Sequence, residues 1–146
     1  MENYKIAAIN NYFKQKNLKY SMDHNPTDIS YRILLVNNTP IYARIANTPD
    51  LLARGLMHVE KLGQNEGCLL DFGQEVPVSL WMKNCKINMQ TAMINKQGTI
   101  ISIQNMYYTD PYRAHNSPHS IRYALEMSEN FFDKANINIG DNIRLL

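Results

Sequence analysis

Between residues 66 and 104 the chain is divided into apolar runs too short for ordinary helices. These are "GCLLDF", "VSLWM", "INMQTAMI" and "TIISIQ", each bounded by Gly, Pro or Asn. Runs of roughly four to eight residues between turn formers read as strands. "NKQG" supplies a hairpin turn between the last two, with Gly98 free to take positive φ. Upstream, "YRILLV" and "IYARIA" flank "NNTP" as a second hairpin. Downstream, "RYALEM" and a final "NIRLL", entered through Gly140–Asp141, add two more strands.

Helices fit between these strands. Ile6, Ile9 and Phe13 recur at helical spacing within residues 3–17, which predicts a short amphipathic helix. The polar "SMDHNPTDIS" then acts as a connector, because Asn25 precedes a proline and is pushed away from helical dihedrals. Thr48 can cap a helix whose first position suits Pro49 and whose first turn suits Asp50. Gly55 either ends that helix or permits close packing. Ser128 is expected to cap a further short helix in "SENFFDKA". The whole predicts an α+β fold, a strongly curved antiparallel or mixed sheet, small and barrel-like, with two or three short helices. Residues 1–30 read as an N-terminal helix and connector, and residues 31–146 as a single α+β domain.

Composition narrows the function classes. A 146-residue chain with 45% hydrophobic and 19% charged residues is globular and large enough for a core. A net charge of +2 gives no electrostatic footprint for nucleic acid. The stretch "YYTDPYRAHNSPHSIRY" mixes aromatics with Arg and His, but its positive charges are too few for a single-strand groove. No apolar run approaches the roughly 18 residues of a membrane span. The first residues lack the continuous apolar core of a secretory signal, so a cytoplasmic location is expected. Cys68 and Cys85 lack CxxC spacing, which argues against a zinc site or a disulfide scaffold.

Met57–His58, Met82, Cys85, Met89 and Met93 are soft or borderline donors, yet Met is first a core filler. His115 and His119 stand four apart, but Pro118 interrupts any common helix, and Ser117–Pro118 reads instead as a helix start. Neither a metal nor a cofactor is expected.

Five pieces stand in order: "TPDLLARGLM", "EGCLLDF", "WMKN", "RYALEM" and "IGD". In register they resemble the bacterial and archaeal family known as domain of unknown function 192. Its pattern is an RGLM stretch, an EGML-like strand, WMKN, a YVLE-like strand and a final GD turn. The resemblance covers about residues 41–146 and implies a small α+β domain, often found behind an export signal, with no established activity. The matching positions are Arg54, Gly55, Leu56, Met57, Trp81, Met82, Lys83, Asn84, Tyr123, Glu126, Gly140 and Asp141. Where the family usually reads Thr, Pro and Asp after the Asn, this chain carries Cys85, Asn88 and Gln90.

Strand alternation locates a candidate site. In "VSLWMK", Val78, Leu80 and Met82 share one face while Ser79, Trp81 and Lys83 share the other. In "RYALEM", Arg122 and Glu126 oppose Tyr123, Leu125 and Met127. Two readings follow. In one, Trp81 is the flat wall of a hollow under the 105–120 loop, where Lys83, Asn84, Arg122 and Glu126 orient a small polar ligand such as a saccharide. In the other, Trp81 is core filler and Lys83 or Arg122 merely pairs with Glu126. Arg54 is either an additional ligand contact or a residue capping its own helix. Two further classes stand beside the binding module: a hydrolase using Glu126 as acid or base, and a partner-binding protein using the face of Ile6, Ile9 and Phe13.

Overall fold

The computed structural model describes residues 30–145. The helix expected over residues 3–17, with its face of Ile6, Ile9 and Phe13, lies outside the described residues. In chain order the elements are β1 (Ser30–Val36), β2 (Thr39–Ala46), α1 (Pro49–Arg54), β3 (Glu66–Val76), β4 (Ser79–Leu80) and β5 (Met89–Ile94). They continue with β6 (Ile100–Met106), β7 (His115–Asn116), β8 (Ile121–Ser128), α2 (Phe131–Lys134) and β9 (Ile143–Leu145). Seven strands form one sheet in the order β6-β5-β8-β3-β2-β1-β9, and β4 pairs with β7 in a separate ribbon. The described chain is thus largely β with two short helices, and α+β holds in that coarse sense.

All ladders are antiparallel except β2 with β3, which run parallel from Tyr42↔Glu66 to Ala46↔Leu70. Parallel neighbours need a crossover connection, and α1 with the segment after it supplies this one. At the far ends of the sheet, Ile100 N–H donates to the Asp141 carbonyl at 2.9 Å and Ile143 N–H to that of Gly98 at 2.8 Å. These bonds bring β9 to the β5–β6 hairpin and curl the sheet into a half-barrel. The hairpin itself turns as expected, with Gly98 at φ 84° and the Asn95 side chain accepting two backbone N–H groups.

Period-two alternation divides the apolar residues between two cores. Leu34, Ile41, Leu69, Ala92, Leu125 and Phe132 pack on one face. Leu51, Leu56, Leu70, Met82, Met93 and Ala124 pack on the other, beneath α1. The second core borders the candidate site.

Three local expectations are corrected. "VSLWM" is a strand only at Ser79–Leu80; Trp81 and Met82 have left it, and Lys83–Asn84 make a turn. Ser128 does not cap a helix, because its pairing with Met89 extends β8 through it. The position before α2 is Asn130, at φ 62° and with no side-chain cap. A residue distant in sequence takes that role: Gln90 Oε1 accepts the N–H groups of Phe132 (2.8 Å) and Asp133 (3.4 Å). Ser117–Pro118 starts no helix either. It follows β7, and the Ser117 hydroxyl accepts the N–H of Val78 at 3.0 Å. Replacing Gln90 by Ala leaves the buried Phe132 N–H without its acceptor, which should cost about 1–3 kcal/mol. Chemical denaturation should register that loss, and an unchanged midpoint would show that α2 needs no such cap.

Candidate functional site

Glu126 sits in the middle of β8, directly opposite Cys68 of β3 on one side and Thr91 of β5 on the other. Cys68 in turn pairs with Arg44 of β2. Four strands therefore place Arg44, Cys68, Glu126 and Thr91 in a single row across the sheet. All four are buried, Arg44 completely and Glu126 to 5% exposure. Buried polar groups are normally hydrogen-bonded. Glu126 Oε1 nevertheless has no hydrogen-bond partner, and neither has Thr91 Oγ1.

Above that oxygen the chain must be glycine. Thr48 Oγ1 accepts the N–H of Leu51 at 3.3 Å to start α1, and Gly55 ends it with φ 47° and ψ −120°, donating its N–H to the Leu51 carbonyl. That backbone is one which L side chains rarely adopt. A Cβ there would also lie 2.8 Å from Glu126 Oε1. Both roles considered for Gly55, ending the helix and permitting close approach, are therefore filled at once.

Between this turn, β4 and the sheet lies a cavity of about 340 Å³. Leu52 and Leu56 come from the α1 side, Leu70 and Phe72 from β3, and Glu126 and Cys85 also line it. Trp81 and Arg54 complete the lining. Burial pushes the Glu126 carboxyl up from 4.5 to about 7, with the Arg44 charge pulling the other way. Burial, helped by the Glu126 charge, drives the Cys85 thiol up to about 12 and raises Cys68 as well. Neither sulfur is a thiolate at neutral pH, so neither is an activated nucleophile.

The structure brings together three of the six residues singled out from the sequence: Trp81, Arg54 and Glu126 share this cavity. The indole is 51% exposed, meets Tyr112 edge-on at 6.1 Å between centroids, and carries Lys83 Nζ at 5.4 Å from its centroid. Lys83 thus rests on the ring and does not line the cavity. Asn84 turns at φ 62° and its carbonyl accepts the His58 N–H at 3.0 Å, which places it in the supporting turn. Arg122 pairs with Asp71, at 2.8 Å through Nε and 3.4 Å through its second nitrogen, and stacks on Tyr123 at 4.9 Å. Burial works against the Asp71 charge, but the bond from Arg122 outweighs it and holds that carboxyl below its ordinary range. Four residues of strand, about 13 Å, separate Arg122 from Glu126.

The 105–120 loop braces the Trp81 wall without lining the cavity. Its Pro111 carbonyl accepts the Met82 N–H at 3.1 Å, and its β7 pairs with β4. Arg44 and Thr91 were not singled out from the sequence, where Cys85 figures only as a soft donor and a departure from the family pattern. One signal for Arg44 was present: an arginine in the middle of the apolar "IYARIA" run, where strand alternation gives it the same face as Ala46. Among the described residues no three His, Cys, Asp or Glu side chains converge as metal ligands, and no helix is long and apolar enough to cross a membrane.

A family model, domain of unknown function 192, described as an uncharacterized ACR, matches residues 33–145. Two solved structures share the fold. One is a Sinorhizobium meliloti 1021 protein provisionally assigned as a transcription regulator, with TM-score 0.75 and 23% identity over 80% of this chain and 95% of that one. The other is a protein of unknown function from Novosphingobium aromaticivorans DSM 12444, with TM-score 0.71 and 19% identity over 80% and 84%. At these identities the likeness concerns the fold alone. No curated protein matches the chain significantly.

Proposed function

We propose that this chain, which belongs to the domain of unknown function 192 family, is a binding module that holds a small polar ligand in the cavity between Gly55, Trp81 and Glu126. The observation that carries this reading is Glu126 Oε1, buried at the cavity and without a hydrogen-bond partner. A carboxyl oxygen withdrawn from water and left unpaired costs free energy in the empty protein. A ligand that bonds to it recovers that cost. The apolar walls and the open indole supply contact area, and 340 Å³ falls at the lower end of the range, about 300–1,000 Å³, typical of small-molecule sites.

Binding is favoured over hydrolysis by what surrounds Glu126. An acid–base mechanism needs a second group able to exchange protons near neutral pH. Cys85, the other titratable side chain beside it in the cavity, is held protonated, and no second carboxyl lines the space.

Trp81→Ala tests the reading, because the half-exposed ring contributes to the cavity more than to the core. The variant should keep its far-ultraviolet spectrum and lose the thermal shift produced by any small molecule that stabilises the parent. A shift of undiminished size in the variant would remove Trp81 from the site.

A further inference from the structure

Two ionisable groups of opposite sign line the cavity, and no ion pair joins them. Glu126 presents its buried, unpartnered Oε1 beneath Gly55. Arg54, the last residue of α1, is half-buried, and its guanidinium makes no ion pair with any of the described residues. Apolar side chains, Leu52, Leu70, Phe72 and Trp81 among them, line the same space. Opposite charges in a partly dry space would be expected to pair with each other, since charge-assisted hydrogen bonds are the strong ones. Here no such pair forms between Arg54 and Glu126.

We propose that the ligand is a zwitterionic aminocarboxylate, a free amino acid with an apolar side chain, whose ammonium bonds to Glu126 Oε1 and whose carboxylate bonds to Arg54. This rests on reading the cavity as a small-molecule site and states which molecules enter it. The alternatives each leave a charge unmatched. A saccharide, expected from the open indole, can pack on Trp81 but brings no charge for Arg54 or Glu126. Above pH 7, where Glu126 is ionised, an anion without an amine meets its carboxylate unfavourably. A simple amine leaves Arg54 unanswered. The zwitterion satisfies both groups, and its apolar side chain covers Leu70 and Phe72. The guanidinium fork suits a carboxylate in particular, because two parallel N–H groups can face its two oxygens.

The experiment is calorimetric titration of the full chain at pH 8, where Glu126 is ionised, with L-phenylalanine, L-leucine, L-phenylalaninamide, N-acetyl-L-phenylalanine and glucose, with indole fluorescence followed in parallel. L-Phenylalanine or L-leucine should bind, and the phenylalanine derivative lacking either charge should bind about tenfold or more weakly, as expected for loss of one charged hydrogen bond. Arg54→Gln should erase the preference for a free carboxylate, and Glu126→Gln the preference for a free ammonium, with circular dichroism confirming that both variants fold. Blocked derivatives that bind as well as the free amino acids overturn the proposal. Glucose moving the indole signal while both amino acids leave it unchanged also overturns it, yet leaves the small-molecule reading standing. If no probe changes heat or fluorescence, both readings fall.

Discussion

Glu126→Gln is expected to raise the unfolding temperature at pH 8 and to leave it nearly unchanged at pH 4. The carboxyl stands at about 7 in the folded protein against an ordinary value of 4.5, because burial disfavours its charged form more than the Arg44 charge restores it. Between those values the folded chain keeps a proton that the unfolded chain has released. Stability contributed by this group is therefore full below pH 4.5, falls as pH rises to about 7, and stays low above that. At about 1.4 kcal/mol per pH unit, the whole loss comes to about 3.5 kcal/mol. An amide cannot ionise and escapes it. For a chain of this length that gain corresponds to roughly 10 °C. The groups bearing on Glu126 are Arg44 from β2, Cys68 from β3 and Cys85 beside it, and both thiols stay neutral across the window. Thermal unfolding of the two proteins across pH 4–8 makes the comparison. Parallel curves would mean that Glu126 titrates alike in the folded and unfolded chains.

Gly55→Ala is expected to destabilise the protein by about 3 kcal/mol through two separable effects. Backbone near φ 47° and ψ −120° is strained for any L side chain, at about 1–3 kcal/mol. The added methyl also approaches Glu126 Oε1 to 2.8 Å, and overpacking of this kind adds about 1–3 kcal/mol. A double-mutant cycle with Glu126→Ala separates them, since removing the carboxyl relieves the contact but not the dihedral strain. The cost of Gly55→Ala should fall by about half in that background. Costs that add without coupling would show that the close approach carries no energy.

Much of the architecture was legible because it is local. Thr48, Pro49 and Gly55 mark α1 by chemistry confined to one helix, and the Asn95–Gly98 turn marks its hairpin in the same way. The site was legible only in part because its geometry depends on where strands stop. Alternation put Trp81 and Lys83 on a shared face, but β4 lasts two residues and then the chain turns. The indole is exposed all the same, by leaving the sheet and not by alternating within it. Arg122 and Glu126 obey their alternation, yet the irregular stretch between Asp71 and Val76 gives Arg122 a different carboxylate as partner. The cap on α2 illustrates the general limit. Gln90 reaches it from 42 residues away, and no window around Phe132 contains that information.

The parallel pairing of β2 with β3 has a consequence for how such a pocket can vary. The carboxylate belongs to the strand framework, whereas the Gly55 ceiling belongs to the passage between Ala46 and Glu66 that lets the chain return in the same direction. A change in the length of that passage is expected to resize the enclosure while the strand order stays in place. The charge at the bottom and the room above it are therefore specified by different stretches of sequence and can be altered one at a time.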